Sequence, residues 1–258
     1  MNFWNQQKQP LNQQQSKLFA KTMIATTIQV TLFVALMIGL TFLLKYGWAT
    51  NFIPTIIGFA SVGGVSLIGV LIMFLMKRFK PEKYELNFAF NIIYGIFMMI
   101  VYSVVIAFIA GALEFYTFLV MIGISLVLFI TLSIIGYFVS KKTVIVLYTI
   151  TRVIIGIASV LMILSFVLYF VAFKNQTVFK TVSWIDLIIS IIFVITFSIS
   201  VVMRMNDLRS ITEDNQNLEH KGLIMYLSNT MFYAYAQVLL WLLILLIRLR
   251  WIARFFGR

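Results

Sequence analysis

The stretch Leu86–Leu113, LNFAFNIIYGIFMMIVYSVVIAFIAGAL, runs for 28 residues without a charged side chain. A helix rises 1.5 Å per residue, so about 20 apolar residues cross the roughly 30 Å hydrocarbon core of a bilayer, and this stretch is long enough to span it. Six further runs share its character: Met23–Leu44, Phe52–Met76, Phe115–Val139, Thr143–Phe173, Trp184–Met203 and Leu223–Ile247. Polar breaks separate them at 45–51, at the basic cluster 77–83, at Glu114, at Lys141 and Lys142, at 174–183 and at 204–222. The pattern predicts an all-α, polytopic integral membrane protein, a bundle of seven transmembrane helices over 23–247. A polar, flexible N-terminal tail (1–22) precedes it and a basic, aromatic, interfacial tail (248–258) follows.

Composition excludes the alternatives. Hydrophobic residues make up 62% of the 258 even with glycine left out, and charged residues 11%, whereas a soluble domain is about half apolar with glycine counted and about 25% charged. A water-soluble body would have too little polar surface to cover it. The apolar runs also leave only tails and loops, so a soluble catalytic domain does not fit. The net charge of +12 does not imply nucleic acid, because the bases flank apolar runs instead of interleaving with aromatic residues on a polar face. In that position they set orientation and attract anionic headgroups of the bilayer. With no cysteine, disulfides, thiolate catalysis and Cys-type metal sites are ruled out.

Lysine and arginine concentrate in the first tail and in the second, fourth and sixth loops, which predicts a multi-pass protein of the cell membrane with a cytoplasmic N-terminus. Arg248, Arg250, Arg254 and Arg258 then fall on the opposite side and are expected to act as an interfacial anchor. The first run exceeds the apolar length of a secretory signal and ends at Lys45, so it is expected to stay in the protein. No internal repeat is visible, which argues against a secondary transporter. Gly58, Ala60, Ser61, Gly63, Gly64, Ser66 and Gly69 crowd the second run, with Ala60 and Gly64 at small-xxx-small spacing, and predict a central, tightly packed helix.

Enzyme readings lack parts, and no cofactor or metal site is expected. The single histidine, His220, stands in a charged loop as a solvated residue, which leaves no Ser/His pair, no HExxH and no metal cluster. Asp186 and Asp207 are 21 residues apart, about 31 Å along a helix, too far for an aspartyl dyad. No lysine follows Lys221 to carry a retinal-type Schiff base. The sixth loop, with Glu213, Asp214 and Glu219, lacks the EF-hand pattern and reads as a solvated connector.

Ionisable groups at membrane depth are costly and point to function. Arg152, about 13 Å into its run, either meets an anion in the bundle or extends to the headgroups. Asp207 ends the sixth span near Arg204 and Arg209. It either pairs with one of them or joins Arg152, Lys77 and Arg78 in a latch on one half of the bundle. Gln237, with Asn87 and Asn91, glues helices or lines a polar path, gluing being the commoner use. Glu114 and Asp186 are expected at the opposite boundary in solvated loop roles.

Seven spans with basic breaks after the second and fourth, the sixth span closing on Asp207-Leu208 with Ile211 beyond, and Tyr235-Ala236-Gln237 in the last span together resemble the Bax inhibitor family, in its divergent bacterial type. The resemblance implies a passive calcium or cation leak channel, proton-gated through Asp207 with Lys77 or Arg78 as its basic partner. Gln237 stands where such proteins carry a second aspartate, and Asn206 where they carry an aromatic residue. A glutamine cannot share a proton with Asp207, so gating would rest on one carboxylate. The alternatives are a substrate-binding membrane subunit or small-molecule transporter, and a membrane scaffold or stress-response protein.

Overall fold

The computed structural model describes residues 13–84, 86–172, 176–214 and 221–256. Residues 1–12, Glu219, His220 and Arg258, on which expectations were placed above, lie outside the described residues. Among the described residues eight helices follow one another: α1 (Gln13–Thr50), α2 (Phe52–Phe79), α3 (Pro81–Tyr84), α4 (Phe88–Gly111), α5 (Phe115–Phe138), α6 (Lys141–Ala172), α7 (Gln176–Asp214) and α8 (Lys221–Phe256). All but the one-turn α3 are long and apolar enough to cross a membrane. The protein is thus an all-α integral membrane protein with seven spans. Hydrocarbon leaves helices and closed barrels as the ways to satisfy every backbone group, which is why valine, isoleucine and phenylalanine sit here in helices despite their preference for strands.

Local chemistry marks the ends. The Oδ1 of Asn87 accepts from the Phe90 amide at 3.0 Å and caps α4, satisfying one of the amides that a helix start leaves open. Lys45, the first residue of the first break, donates to the Leu113 carbonyl at 2.6 Å and so closes the C-terminal end of α4. Lys77 and Arg78 occupy the last turn of α2, where the helix dipole favours cations.

The helices outrun the apolar segments. α1 starts at Gln13, inside the expected flexible tail, and buries Leu18 and Thr22. Glutamine, lysine and alanine are good helix formers, so polarity there marks emergence from lipid and not loss of structure. α7 likewise continues through the expected sixth-loop connector to Asp214, burying Asn206, Arg209 and Thr212. Arg209 pairs with Glu213 at 2.8 Å, one turn on. At the other end, α8 carries its helix through 248–256, so Arg248, Arg250 and Arg254, expected in a separate tail, extend the last helix.

The described residues form two compact units, one from those within 13–116 and 207–236, the other from those within 117–206 and 237–256. In the first, α1, α2 and α4 meet around Leu44, Phe59, Val104 and Ala107, and Phe33 of α1 packs edge-on against Phe232 of α8 at 5.1 Å. The expectation of a central second helix is corrected. Only Phe59, Ser66 and Met73 of α2 are buried. Its small residues divide between two faces: Gly63 and Gly69 lie close under Val104 and Phe97 of α4, whereas Gly58 and Gly64 have no neighbour within 4 Å.

In the second unit, Gly136 of α5 lies against α7, where an added Cβ would come within 2.5 Å of the Val202 carbonyl oxygen. One turn on, Asn206 donates from Nδ2 to the Val139 carbonyl at 2.6 Å and closes the end of α5. That gives Asn206 a structural use.

Gly95 of α4 makes a tight approach between helices in the first unit: a Cβ there would lie 2.5 Å from the Asn229 Oδ1 of α8. We predict that Gly95→Ala lowers the melting temperature of the detergent-solubilised protein, by an overpacking cost of about 1–3 kcal/mol. Gly39→Ala, where nothing lies within 4 Å, is expected to be neutral or slightly stabilising. Thermal unfolding of the two variants side by side checks the pair.

Candidate functional site

Among the described residues two polar networks join helices inside the spans, one in each unit, and they differ in charge, whereas the Arg209–Glu213 pair of the first unit stays within α7. In the first unit the side chains are neutral. Gln29 of α1 donates to the Asn229 Oδ1 at 2.7 Å and accepts from Ser228 at 2.7 Å. Asn229 donates to the Asn91 carbonyl at 2.8 Å, and Asn91 to the Asn87 carbonyl at 2.9 Å. Thr26 extends the chain from Ser228 to the Thr22 carbonyl. Each amide spends donors and acceptors on its neighbours, so the network ties α1, α4 and α8 together. Asn91 joins it through its backbone carbonyl, while its side-chain amide bonds within α4.

The second unit holds charge. Asp186 lies five residues, about 8 Å, into the span that begins at Thr181. Its Oδ2 pairs with the Arg248 Nη1 at 2.6 Å, and its Oδ1 accepts from the Ser165 hydroxyl at 2.6 Å. The side chain of Asp186 is 9% exposed and that of Arg248 38%. The expected solvated role for Asp186 is thus corrected: α7 begins ten residues earlier, at Gln176, and carries Asp186 into the protein. Ser190, one turn on, donates to the Asp186 carbonyl at 2.8 Å, so its hydroxyl is satisfied within its own helix.

Beside this pair lies a cavity of about 550 Å³, within the range of small-molecule sites. Ser165, Asp186, Ser190 and Arg248 supply its polar groups, and Met162, Ile163, Phe166, Ile189, Trp241 and Ile244 its apolar wall. The polarity is graded along the helices. Ile189 follows Asp186 by one turn, while Trp241 and Ile244 precede Arg248, so the wall runs into the span from a charged end near its boundary. Trp241 is held by stacking on Phe193 at 4.2 Å, nearly parallel, with Phe197 beside it. Ile163 and Phe166 are exposed, so the cavity opens sideways across α6.

The residues singled out from sequence fall in both units, Asp207, Lys77 and Arg78 in the first and Arg152 and Gln237 in the second. Asp207 is half-buried, still on α7. Lys77 lies over the Tyr226 ring at 4.0 Å, and Arg78 is exposed. Gln237 is half-buried in the second unit. Arg152 is exposed and stands over Tyr148, one turn back on its own helix, at 4.9 Å, as a lysine or arginine stem lying along an apolar surface does. The Asp186–Arg248 pair was missed. The signal was available, since alternating spans bring the start of the sixth and the end of the seventh to one side.

Among the described residues no three His, Cys, Asp or Glu side chains gather as a metal site would require. The sequence matches no family model and no curated protein. The class that fold and site define is a seven-span integral membrane protein with a charged, laterally open cavity.

Removing one member of a buried ion pair leaves the other uncompensated, at a cost of about 3–5 kcal/mol; partial exposure of Arg248 puts this case at or below the lower end. We therefore expect Arg248→Met to lower the melting temperature more than the double change Arg248→Met with Asp186→Leu. A double-mutant cycle on thermal unfolding measures the coupling.

Proposed function

We propose that the protein is a substrate-binding membrane protein, a binding subunit or small-molecule transporter, whose ligand is a small and largely apolar molecule taken from the bilayer. One observation carries this reading: the cavity beside Asp186 and Arg248 combines an apolar wall with a few convergent polar groups, the usual make-up of a small-molecule site. The structural pair and the pocket coincide, which supports a use for the charge beyond packing. On the lysine and arginine distribution, the N-terminus faces the cytoplasm of a cell membrane, with the basic ends meeting anionic headgroups.

A second reading, the proton-gated cation leak that the Bax inhibitor resemblance implies, is favoured by Asp207, which stays helical and half-buried in the same unit as Lys77 and Arg78. Under it Asp207→Asn raises calcium influx into proteoliposomes above wild type, and traces equal to empty liposomes for both proteins dismiss it.

The binding reading predicts a copurifying small molecule. Native mass spectrometry of the protein released from mild detergent should find one, and Ile244→Trp, which fills the cavity, should lose it while keeping the helical circular dichroism. A ligand-free wild type, or a ligand retained by Ile244→Trp, would remove the assignment of this cavity.

A further inference from the structure

We propose that the cavity takes a long-chain carboxylic acid, whose carboxylate competes with Asp186 for Arg248; this rests on the reading of the cavity as a binding site.

The charges decide the sign of the head group. Both oxygens of Asp186 are engaged, one by Ser165 and one by Arg248, and the carboxylate is shielded. Arg248 is also the more accessible partner. A cationic head would have to displace both Ser165 and Arg248 from a buried acid, whereas an anion approaches the reachable side of the arginine. Arg250 and Arg254 follow on the same helix and raise the local positive potential further. Asp186 then acts as a resident counter-ion that keeps Arg248 neutralised when no ligand is present.

The cavity's form decides the rest of the molecule. The charged end sits near the membrane boundary and the apolar wall runs inward along Ile189, Ile244 and Trp241, as the head and chain of an amphiphile lie in a leaflet. The opening past Ile163 and Phe166 faces laterally, so the chain enters from lipid. A volume of about 550 Å³ suits one chain with a compact head better than the two chains and bulky head of a phospholipid.

The test uses full-length protein in phosphatidylcholine vesicles at pH 8 and quenching of tryptophan fluorescence by dibrominated lipids, with Trp241→Phe isolating the Trp241 signal. Dibromostearic acid is expected to quench Trp241 at a mole fraction about tenfold below that of its methyl ester, the scale of one charge-assisted contact. Arg248→Gln should erase the difference. Asp186→Asn, which removes the competing carboxylate, should shift the acid curve to lower mole fraction and leave the ester curve in place, an effect that a purely structural Asp186 would not give.

Equal quenching by acid and ester in the wild type overturns the acid proposal and leaves the cavity as a binding site. Quenching by neither removes both. Dibrominated phosphatidylglycerol quenching as strongly as the acid would replace the single-chain ligand by an anionic phospholipid and overturn the proposal. These wild-type comparisons decide the matter even if the Asp186 variant fails to fold.

Discussion

Hydrocarbon offers a polar group no hydrogen bonds, and the rest of this structure follows from that constraint. Backbone groups answer it by forming helices. Side chains answer it within one turn, as when Thr26, Thr41, Ser190 and Thr196 donate to carbonyls four residues back, or across helices, as in the Gln29–Asn229–Asn91 network. Helix ends are closed the same way, by Asn87 at the start of α4, Lys45 at its end and Asn206 at the end of α5.

The two polar centres answer the constraint differently, and the difference separates structure from chemistry. Amide side chains donate and accept in turn, so a set of them can satisfy itself with no charge left over, and it has little reason to admit another molecule. An ion pair has directional charge of unequal accessibility. Such pairs contribute little net stability against a well-packed apolar substitute. A pair kept at the mouth of a cavity is therefore better explained by what it can exchange than by what it holds together.

How much of this could be read from the amino-acid order depends on which property a feature uses. Spans were legible because length and polarity alone define them: every apolar run became a helix. Helix ends were not, since Gln13–Thr22 and Arg204–Asp214 are polar yet helical, and polarity reports the membrane boundary and not the end of order. The small residues of α2 misled for a related reason. Spacing shows that two glycines share a face, but not whether another helix or lipid covers it. Arg152 and Asp207 drew attention by being charged near apolar runs, whereas Asp186 was set aside because its helix was drawn as starting at Trp184. Its partner is 62 positions away in sequence, and only packing identifies it.

The sideways opening across α6 has a consequence for anyone who measures this protein. A site that fills from the leaflet responds to how crowded a molecule is among lipids, not to how much of it is dissolved in the buffer. Adding vesicles would dilute any occupant even at fixed total amount, so occupancy belongs on a scale of surface density, and detergent micelles of different size would report different apparent strengths for one and the same site.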